Sequence, residues 1–241
     1  IACARAFLPD EGQGEPAPLT YEHLRPLSHY PIVAFSVAYE LELAGMVHML
    51  ERSGIPSLRE ERDDDAPFVL AGGPLTFSNP LPLAAFADAI VMGEAEELVV
   101  PVLEILASAR TKRAALAALA DVPHVFVPEH HGAVMPTVAK CDVALLPASS
   151  AIRTPDTELS DMFLIEAERG CSRACTYCVM RRSTNGGMRL VPKETILGTI
   201  PEESRRVGLV GAGVSDPPKI AEVGRTLAER GAEVGLSSLR P

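Results

Sequence analysis

The stretch MFLIEAERGCSRACTYC, residues 162–178, joins an apolar, strand-like run to three closely spaced cysteines. The run ends at Gly170, and Cys171, Cys175 and Cys178 follow it with the spacing C-x3-C-x2-C. The whole chain has 5 cysteines in 241 residues, so most of them fall in this one loop. Barrel-type folds carry their chemistry in loops at the carboxyl ends of strands. The stretch therefore predicts a βα unit with a thiol-based site after its first strand.

Three thiols in one loop limit what that loop can bind. Soft thiolates select zinc, copper(I) or iron–sulfur clusters. A structural zinc site needs a fourth cysteine or histidine, usually from a second paired motif, and no such pair lies near the triplet. Three thiolates on a four-iron cluster leave one iron open for a substrate or cofactor. A zinc site and chance free thiols are the alternatives that the residues leave open.

The run RGCSRACTYC (169–178) resembles the cluster loop of the radical S-adenosylmethionine (radical SAM) enzymes, with Tyr177 as the aromatic residue before the third cysteine. The resemblance implies that the three cysteines bind a 4Fe–4S cluster. It implies that the open iron binds S-adenosylmethionine, which one electron from the cluster cleaves to a 5′-deoxyadenosyl radical. It also implies that Tyr177 lies near the adenine.

The same resemblance implies a glycine-rich strand end that meets the methionine amino group of S-adenosylmethionine. The candidate is Gly211-Ala212-Gly213 in the run VGAG, which departs from the family's usual Gly-Gly-Glu. A plain strand-to-helix turn that needs positive φ explains these residues equally well. Ser237, after the following predicted strand, is a further candidate cofactor-binding residue.

The N-terminal half has the rhythm of an open α/β sheet. Apolar strand-like runs at 31–37, 66–74 and 89–97 alternate with helical patterns, which predicts a mostly parallel sheet with helices on its faces. In such sheets, ligands bind beyond the carboxyl ends of the strands. The candidate cofactor-binding residues of this half share that predicted position: Gly72, Gly73, Gly93 and Glu94.

The run APFVLAGGPLTFSNPLPLAAFADAIVMGEAEE (66–97) resembles the N-terminal cobalamin-binding domain of many radical SAM proteins. The resemblance implies a doubly wound, Rossmann-like domain whose strand-end glycines approach cobalamin. The motif Asp-x-His-x-x-Gly, whose histidine binds cobalt, is absent from the sequence, and the first strand of such a domain would lie before Ile1. Cobalamin binding and a domain that has lost cobalamin are both left open.

We expect an α/β chain in three parts. Residues 1–110 form the cobalamin-binding-type domain, residues 111–160 form a connector with a small hairpin, and residues 161–241 form the first part of a radical SAM (β/α) partial barrel. Because a complete barrel needs more chain than that last part supplies, we expect a fragment of a longer protein. Such a fragment would hold a cluster without turning over.

Composition bears on partners and location. The formal net charge is −10, which disfavours a nucleic-acid partner because phosphate binding needs a basic face. The sequence has no run of the ~20 apolar residues that a membrane span requires and no signal-peptide pattern, so we expect a cytoplasmic protein. The resemblance implies small-molecule cofactors and an electron donor such as flavodoxin or ferredoxin.

The functional hypothesis is radical-initiated chemistry on an unknown substrate, with methyl transfer through cobalamin as one possible outcome. One alternative is methylthio transfer to tRNA, which the acidic charge and the scarcity of further N-terminal cysteines disfavour. Another is a zinc-stabilised binding module without catalysis. The sequence names neither the substrate nor the oligomeric state.

Several other polar residues have ordinary explanations. Glu94, Glu96 and Glu97 suit the N-terminus of a helix, which favours acidic side chains. Cys3 and Cys141 are isolated from the triplet, and we expect them to pack as small apolar residues.

Overall fold

Parallel strand pairs dominate both halves of the protein, as the alternation of strand-like and helical patterns predicts. The computed structural model describes residues 2–8, 17–173, 175–176, 178, 187–215 and 217–238. The chain divides into two compact units, Ile1–Cys141 and Asp142–Pro241. Each is a mixed α/β unit.

The first unit is built on a four-stranded sheet. Its strands are β1 (Ile32–Ser36), β2 (Phe68–Gly72), β3 (Ala89–Val91) and β4 (Val125–Phe126). Their order in the sheet is β1-β2-β3-β4, with the first two pairs parallel and the last antiparallel. The third strand is shorter than the predicted 89–97, because the chain turns at Gly93 with φ of 88°.

Helices cover both faces of this sheet. They are α1 (Glu42–Arg52), α2 (Val99–Ser108), α3 (Lys112–Ala120) and the short α4 (Pro128–His131). Val69 and Ala71 of β2 belong to the core cluster that includes α1, while Phe68 and Leu70 belong to the cluster that includes α2 and α3. Burial on both faces explains why this strand reads as a continuous apolar run. Within the described ranges, none of the helices is long and apolar enough to cross a membrane.

The stretch predicted as a connector, 111–160, contains elements of both units. α3 and β4 belong to the first unit, where Val125 and Phe126 are fully buried and pair with β3. The segment before Cys141 makes one isolated bridge, Gly93 with Ala139, and a 3₁₀ turn follows it. The predicted limits of the domains remain a prediction. Among the described residues, 3₁₀ turns lie at Leu27–His29, Arg59–Glu61, Pro74–Phe77, Leu81–Ala85 and Val143–Leu145.

The second unit has a three-stranded parallel sheet and a two-stranded ribbon. The sheet has the order β5 (Phe163–Glu166), β8 (Arg206–Val210), β9 (Glu233–Leu236). The ribbon pairs β6 (Glu168–Arg169) antiparallel with β7 (Arg189–Leu190). Helices α5 (Lys193–Thr199) and α6 (Pro218–Glu229) lie between successive parallel strands, as parallel pairing requires a crossover connection.

A buried charge network holds the first unit together at the start of β3. The Asp88 carboxylate is 1% exposed, and its Oδ1 lies 3.2 Å from Arg62 Nη2 and 3.3 Å from Lys112 Nζ. Its Oδ2 accepts a hydrogen bond from the Val69 N–H at 2.7 Å. One carboxylate therefore joins β2, β3, the segment at residue 62 and the start of α3. Its removal would leave buried cations without a counter-charge.

Candidate functional site

A short antiparallel ribbon joins the two ends of the cysteine loop. β6 and β7 pair Glu168 with Leu190 and Arg169 with Arg189, which brings the two ends of the loop together. Gly170 has φ of 89°, and a Cβ there would lie 2.5 Å from the Gly187 carbonyl oxygen. Only glycine fits that position, because both the backbone angle and the close approach exclude a side chain. Gly170 therefore determines the backbone conformation at the start of the loop, just before Cys171.

The three thiols of the loop are all accessible to some degree. Cys171 and Cys178 are half-buried and Cys175 is exposed, and the chain's five cysteines, all of them described, form no disulfide. The Arg173 N–H donates to Cys171 Sγ at 3.4 Å, and the Cys178 N–H donates to the Cys175 carbonyl at 3.3 Å. Backbone hydrogen bonds to sulfur tune iron–sulfur clusters. This donor set fits a thiolate-bound cluster.

One predicted cofactor-binding residue, Tyr177, lies outside the described residues. The predicted contact of Tyr177 with adenine therefore stays a prediction. The assignment of the three cysteines to a cluster also stays a prediction at this point, supported by the donor set.

The predicted glycine-rich strand end and Ser237 come together. The Gly211 N–H donates to Ser237 Oγ at 3.0 Å, and the Ser237 hydroxyl donates back to the Gly211 carbonyl at 3.1 Å. Ser238 Oγ donates to the same carbonyl at 2.9 Å. Serine hydroxyls after the end of β9 thus form hydrogen bonds with the backbone after the end of the adjacent strand β8. The predicted cofactor-binding residues Gly211 and Ser237 therefore contact each other. Their contact with a cofactor stays a prediction.

Close packing, and not a turn with positive φ, explains the glycine at position 211. Neither Gly211 nor Gly213 has positive φ, so the explanation by a left-handed turn is wrong. A Cβ at Gly211 would instead lie 2.5 Å from Cγ of Glu168. The glycine is therefore needed because a side chain passes close to its backbone.

Glu168 is a site residue that sequence reasoning missed. Its side chain is 1% exposed, and Oε1 accepts a hydrogen bond from the Gly213 N–H at 2.5 Å. The nearby Lys219 donates to the Val191 carbonyl. Burial lowers the pKa of Lys219, and the charges of Glu168 and Glu194 act in the opposite direction. The one signal in the sequence was a carboxylate inside the apolar approach to the cysteines.

The strand-end glycines of the first unit are packed against the chain itself. A Cβ at Gly73 would lie 2.7 Å from the Val37 nitrogen, and one at Gly93 would lie 2.5 Å from the Ala139 carbonyl oxygen. Both residues have positive φ, 98° and 88°. Gly72 makes only ordinary contacts with Val91. Internal packing therefore accounts for Gly73 and Gly93 without a ligand, and the cofactor contact predicted at Gly72, Gly73, Gly93 and Glu94 stays a prediction.

Glu94 has a structural partner far away in sequence. Its Oε2 accepts a hydrogen bond from the Cys141 N–H at 2.8 Å, across 47 positions. The ligand-type atoms of Glu94, Glu96 and Cys141 all lie within 4.8 Å of one another. Cys141 is buried as predicted, but its contact with Glu94 left no local signal in the sequence. α2 begins only at Val99 and has no acidic residue in its first turn, so the bond to Cys141 accounts for the position of Glu94 better than the predicted helix terminus does.

Comparison with known proteins gives one family. The family model for the N-terminal region of radical SAM proteins matches residues 1–128, more than half of the 241 residues. No curated protein matches the chain. The cysteine triplet lies outside the matched region, so the two observations rest on different residues. Members of this family in general use S-adenosylmethionine and a 4Fe–4S cluster, which indicates an enzyme. The chain belongs to the radical SAM proteins.

Proposed function

We propose that this chain is the cofactor-binding part of a radical SAM enzyme, with Cys171, Cys175 and Cys178 as the protein ligands of a 4Fe–4S cluster. The observation that carries the proposal is the set of three thiols, none of them in a disulfide, on a loop that follows the carboxyl end of a strand in a parallel sheet. The family match over other residues supports it independently. The open iron would bind S-adenosylmethionine.

The residues of the second unit divide the work of binding. The three thiolates hold the cluster, and the β6–β7 ribbon fixes both ends of their loop. The turn at Gly211–Gly213, bonded to Ser237, is the strand end at which the family resemblance predicts the methionine part of S-adenosylmethionine. When bound, the cluster and S-adenosylmethionine supply 5′-deoxyadenosyl radical chemistry, with one electron from an external donor such as flavodoxin or ferredoxin. The substrate is left unspecified, and a cytoplasmic location remains part of the proposal.

The finer architecture is also proposed rather than established. The parallel order β5-β8-β9, with crossover helices, supports the first part of a (β/α) partial barrel. The first sheet, covered by helices on both faces, supports a Rossmann-like domain of the cobalamin-binding type. We leave cobalamin itself out of the proposed function, because Gly73 and Gly93 are already packed against backbone.

Anaerobic iron–sulfur reconstitution tests this proposal. We expect about 4 iron atoms per chain and a brown protein, with loss of the cluster on Cys171→Ala, Cys175→Ala or Cys178→Ala. Cys3→Ala is the matched control, since Cys3 is exposed and lies in the other unit. It should leave the iron content unchanged.

Two outcomes would reject the proposal. One is iron binding that survives all three loop substitutions. The other is a colourless protein that takes up a single zinc ion, which would favour the zinc-stabilised module.

A further inference from the structure

One side chain connects the cysteine loop to the Gly211–Gly213 turn. Glu168 lies in β6, three residues before Cys171. Its backbone belongs to the ribbon that closes the loop, and its Oε1 accepts the Gly213 N–H at 2.5 Å. Because the side chain is 1% exposed, water does not compete for this bond. A change in the position of Glu168 must therefore be transmitted to both parts of the site.

The contact is close as well as polar. Gly211 lies over the Glu168 side chain so tightly that a Cβ would approach Cγ to 2.5 Å. On its other side, the Gly211 backbone is bonded to the hydroxyls of Ser237 and Ser238. The turn is thus held from two directions, by the carboxylate and by the hydroxyls. Such support from a buried side chain keeps a binding site in a single geometry.

We propose that Glu168 is a positioning residue, which holds the Gly211–Gly213 turn in register with the cysteine loop and thereby sets the affinity for S-adenosylmethionine. This inference rests on the proposed function. Glu168 acts through the backbone of the turn and is not a catalytic residue. A different explanation is that the carboxylate only balances the charge of Lys219.

Two conservative variants separate these explanations. Glu168→Gln keeps the length of the side chain and an acceptor oxygen for the Gly213 N–H, but loses the charge. Glu168→Asp keeps the charge, but the shorter side chain no longer reaches the Gly213 N–H. Glu202→Asp makes the same change on an exposed carboxylate of the same unit and serves as the control.

The measurement is the dissociation constant for S-adenosylmethionine, determined on the reconstituted full chain and expressed per 4Fe–4S cluster. We expect Glu168→Asp to weaken binding by about tenfold or more, because a buried N–H loses its partner. Glu168→Gln should stay within about threefold of the unsubstituted chain, and Glu202→Asp should have no effect. The iron content should be the same in all four proteins.

Several results would overturn the inference. They are an unchanged affinity in Glu168→Asp, a larger loss in Glu168→Gln than in Glu168→Asp, which would indicate a role through charge, and a loss of iron with unchanged affinity per cluster, which would indicate a role in loop folding alone. If Glu168→Asp yields no folded protein, Gly211→Ala decides, because its Cβ pushes the turn away from Glu168 and should weaken binding in the same way. If the unsubstituted chain gains no cluster or binds no S-adenosylmethionine, the proposed function is wrong, and the inference about Glu168 is then wrong as well.

Discussion

The carboxyl ends of the strands are closed differently in the two units. In the first unit, the glycines after β2 and β3 lie against backbone atoms of Val37 and Ala139. In the second unit, the glycine after β8 lies against the side chain of Glu168, and hydroxyls from the end of β9 bond to it. A parallel sheet normally offers this edge to ligands. The comparison indicates that the first unit closes this edge at Gly73 and Gly93 with its own backbone, whereas the second unit closes it at Gly211 with side chains.

The two kinds of contact have different mechanical consequences. A backbone segment that lies close to a glycine cannot move away from an added Cβ, because its own hydrogen bonds hold it in place. A side chain can be changed or removed, so the corresponding glycine can tolerate substitution once the side chain is gone. Substitutions at Gly73 and Gly93 should therefore cost stability whatever side chains surround them, whereas the cost at Gly211 should depend on the side chain at position 168.

The largest effect should come from the charge network of the first unit. Asp88→Ala leaves Arg62 and Lys112 buried beside an empty position, so we expect a loss of about 3–5 kcal/mol in the free energy of unfolding. Urea unfolding measures the loss. Asp64→Ala, a change at a neighbouring exposed acid, is the control. Equal, small effects for both variants would show that the network does not stabilise this unit.

Gly93→Ala should follow in size. It introduces a Cβ with positive φ and 2.5 Å from the Ala139 carbonyl oxygen, for which we expect a loss of about 3 kcal/mol in the free energy of unfolding. Gly132→Ala has positive φ too, but nothing lies within 4 Å of its Cβ, so it should cost only about 1 kcal/mol. Urea unfolding of both variants separates the cost of the close contact from the cost of positive φ. A Gly93→Ala loss no larger than that of Gly132→Ala would mean that the backbone can give way.

Gly211→Ala tests the second half of the comparison. Its Cβ meets Glu168 Cγ at 2.5 Å, and we expect a loss of about 1–3 kcal/mol in stability. In a Glu168→Ala background that obstacle is gone, so the second substitution should cost clearly less than the first alone. A double-mutant cycle measures this coupling. Additive effects would contradict the view that a side chain, rather than backbone, limits position 211.

The smallest effect concerns the N-terminal segment. The Arg5 N–H and guanidinium each lie 2.6 Å from the Glu22 carboxylate, and these hydrogen bonds lower the pKa of Glu22 from 4.5 to about 2. Because the folded-state pKa lies below the unfolded one, the stabilisation is complete above pH 4.5 and is lost as the pH falls through about 2. Glu22→Gln should flatten the pH dependence of stability in that window, and Glu60→Gln, at an exposed acid, should not. Identical curves for all three proteins would contradict the assigned contact.

The sequence was most informative where the pattern is local. Apolar runs predicted β1, β2 and β5, because a buried strand needs apolar residues close together in the sequence. The spacing of the cysteines likewise lies within one loop. The contacts between Glu168 and Gly213, and between Glu94 and Cys141, join residues 45 and 47 positions apart. Such contacts depend on how the strands are arranged in space, so no local pattern announces them. β4 was missed as part of the sheet because its pairing with β3 is equally non-local.

The most direct test of the account is the electron paramagnetic resonance spectrum of the reduced, reconstituted chain before and after addition of S-adenosylmethionine. If Cys171, Cys175 and Cys178 hold a cluster with one open iron, S-adenosylmethionine will bind to that iron and change the spectrum. A reduced cluster whose spectrum stays the same with saturating S-adenosylmethionine, or a chain that gives no cluster signal, would contradict the account.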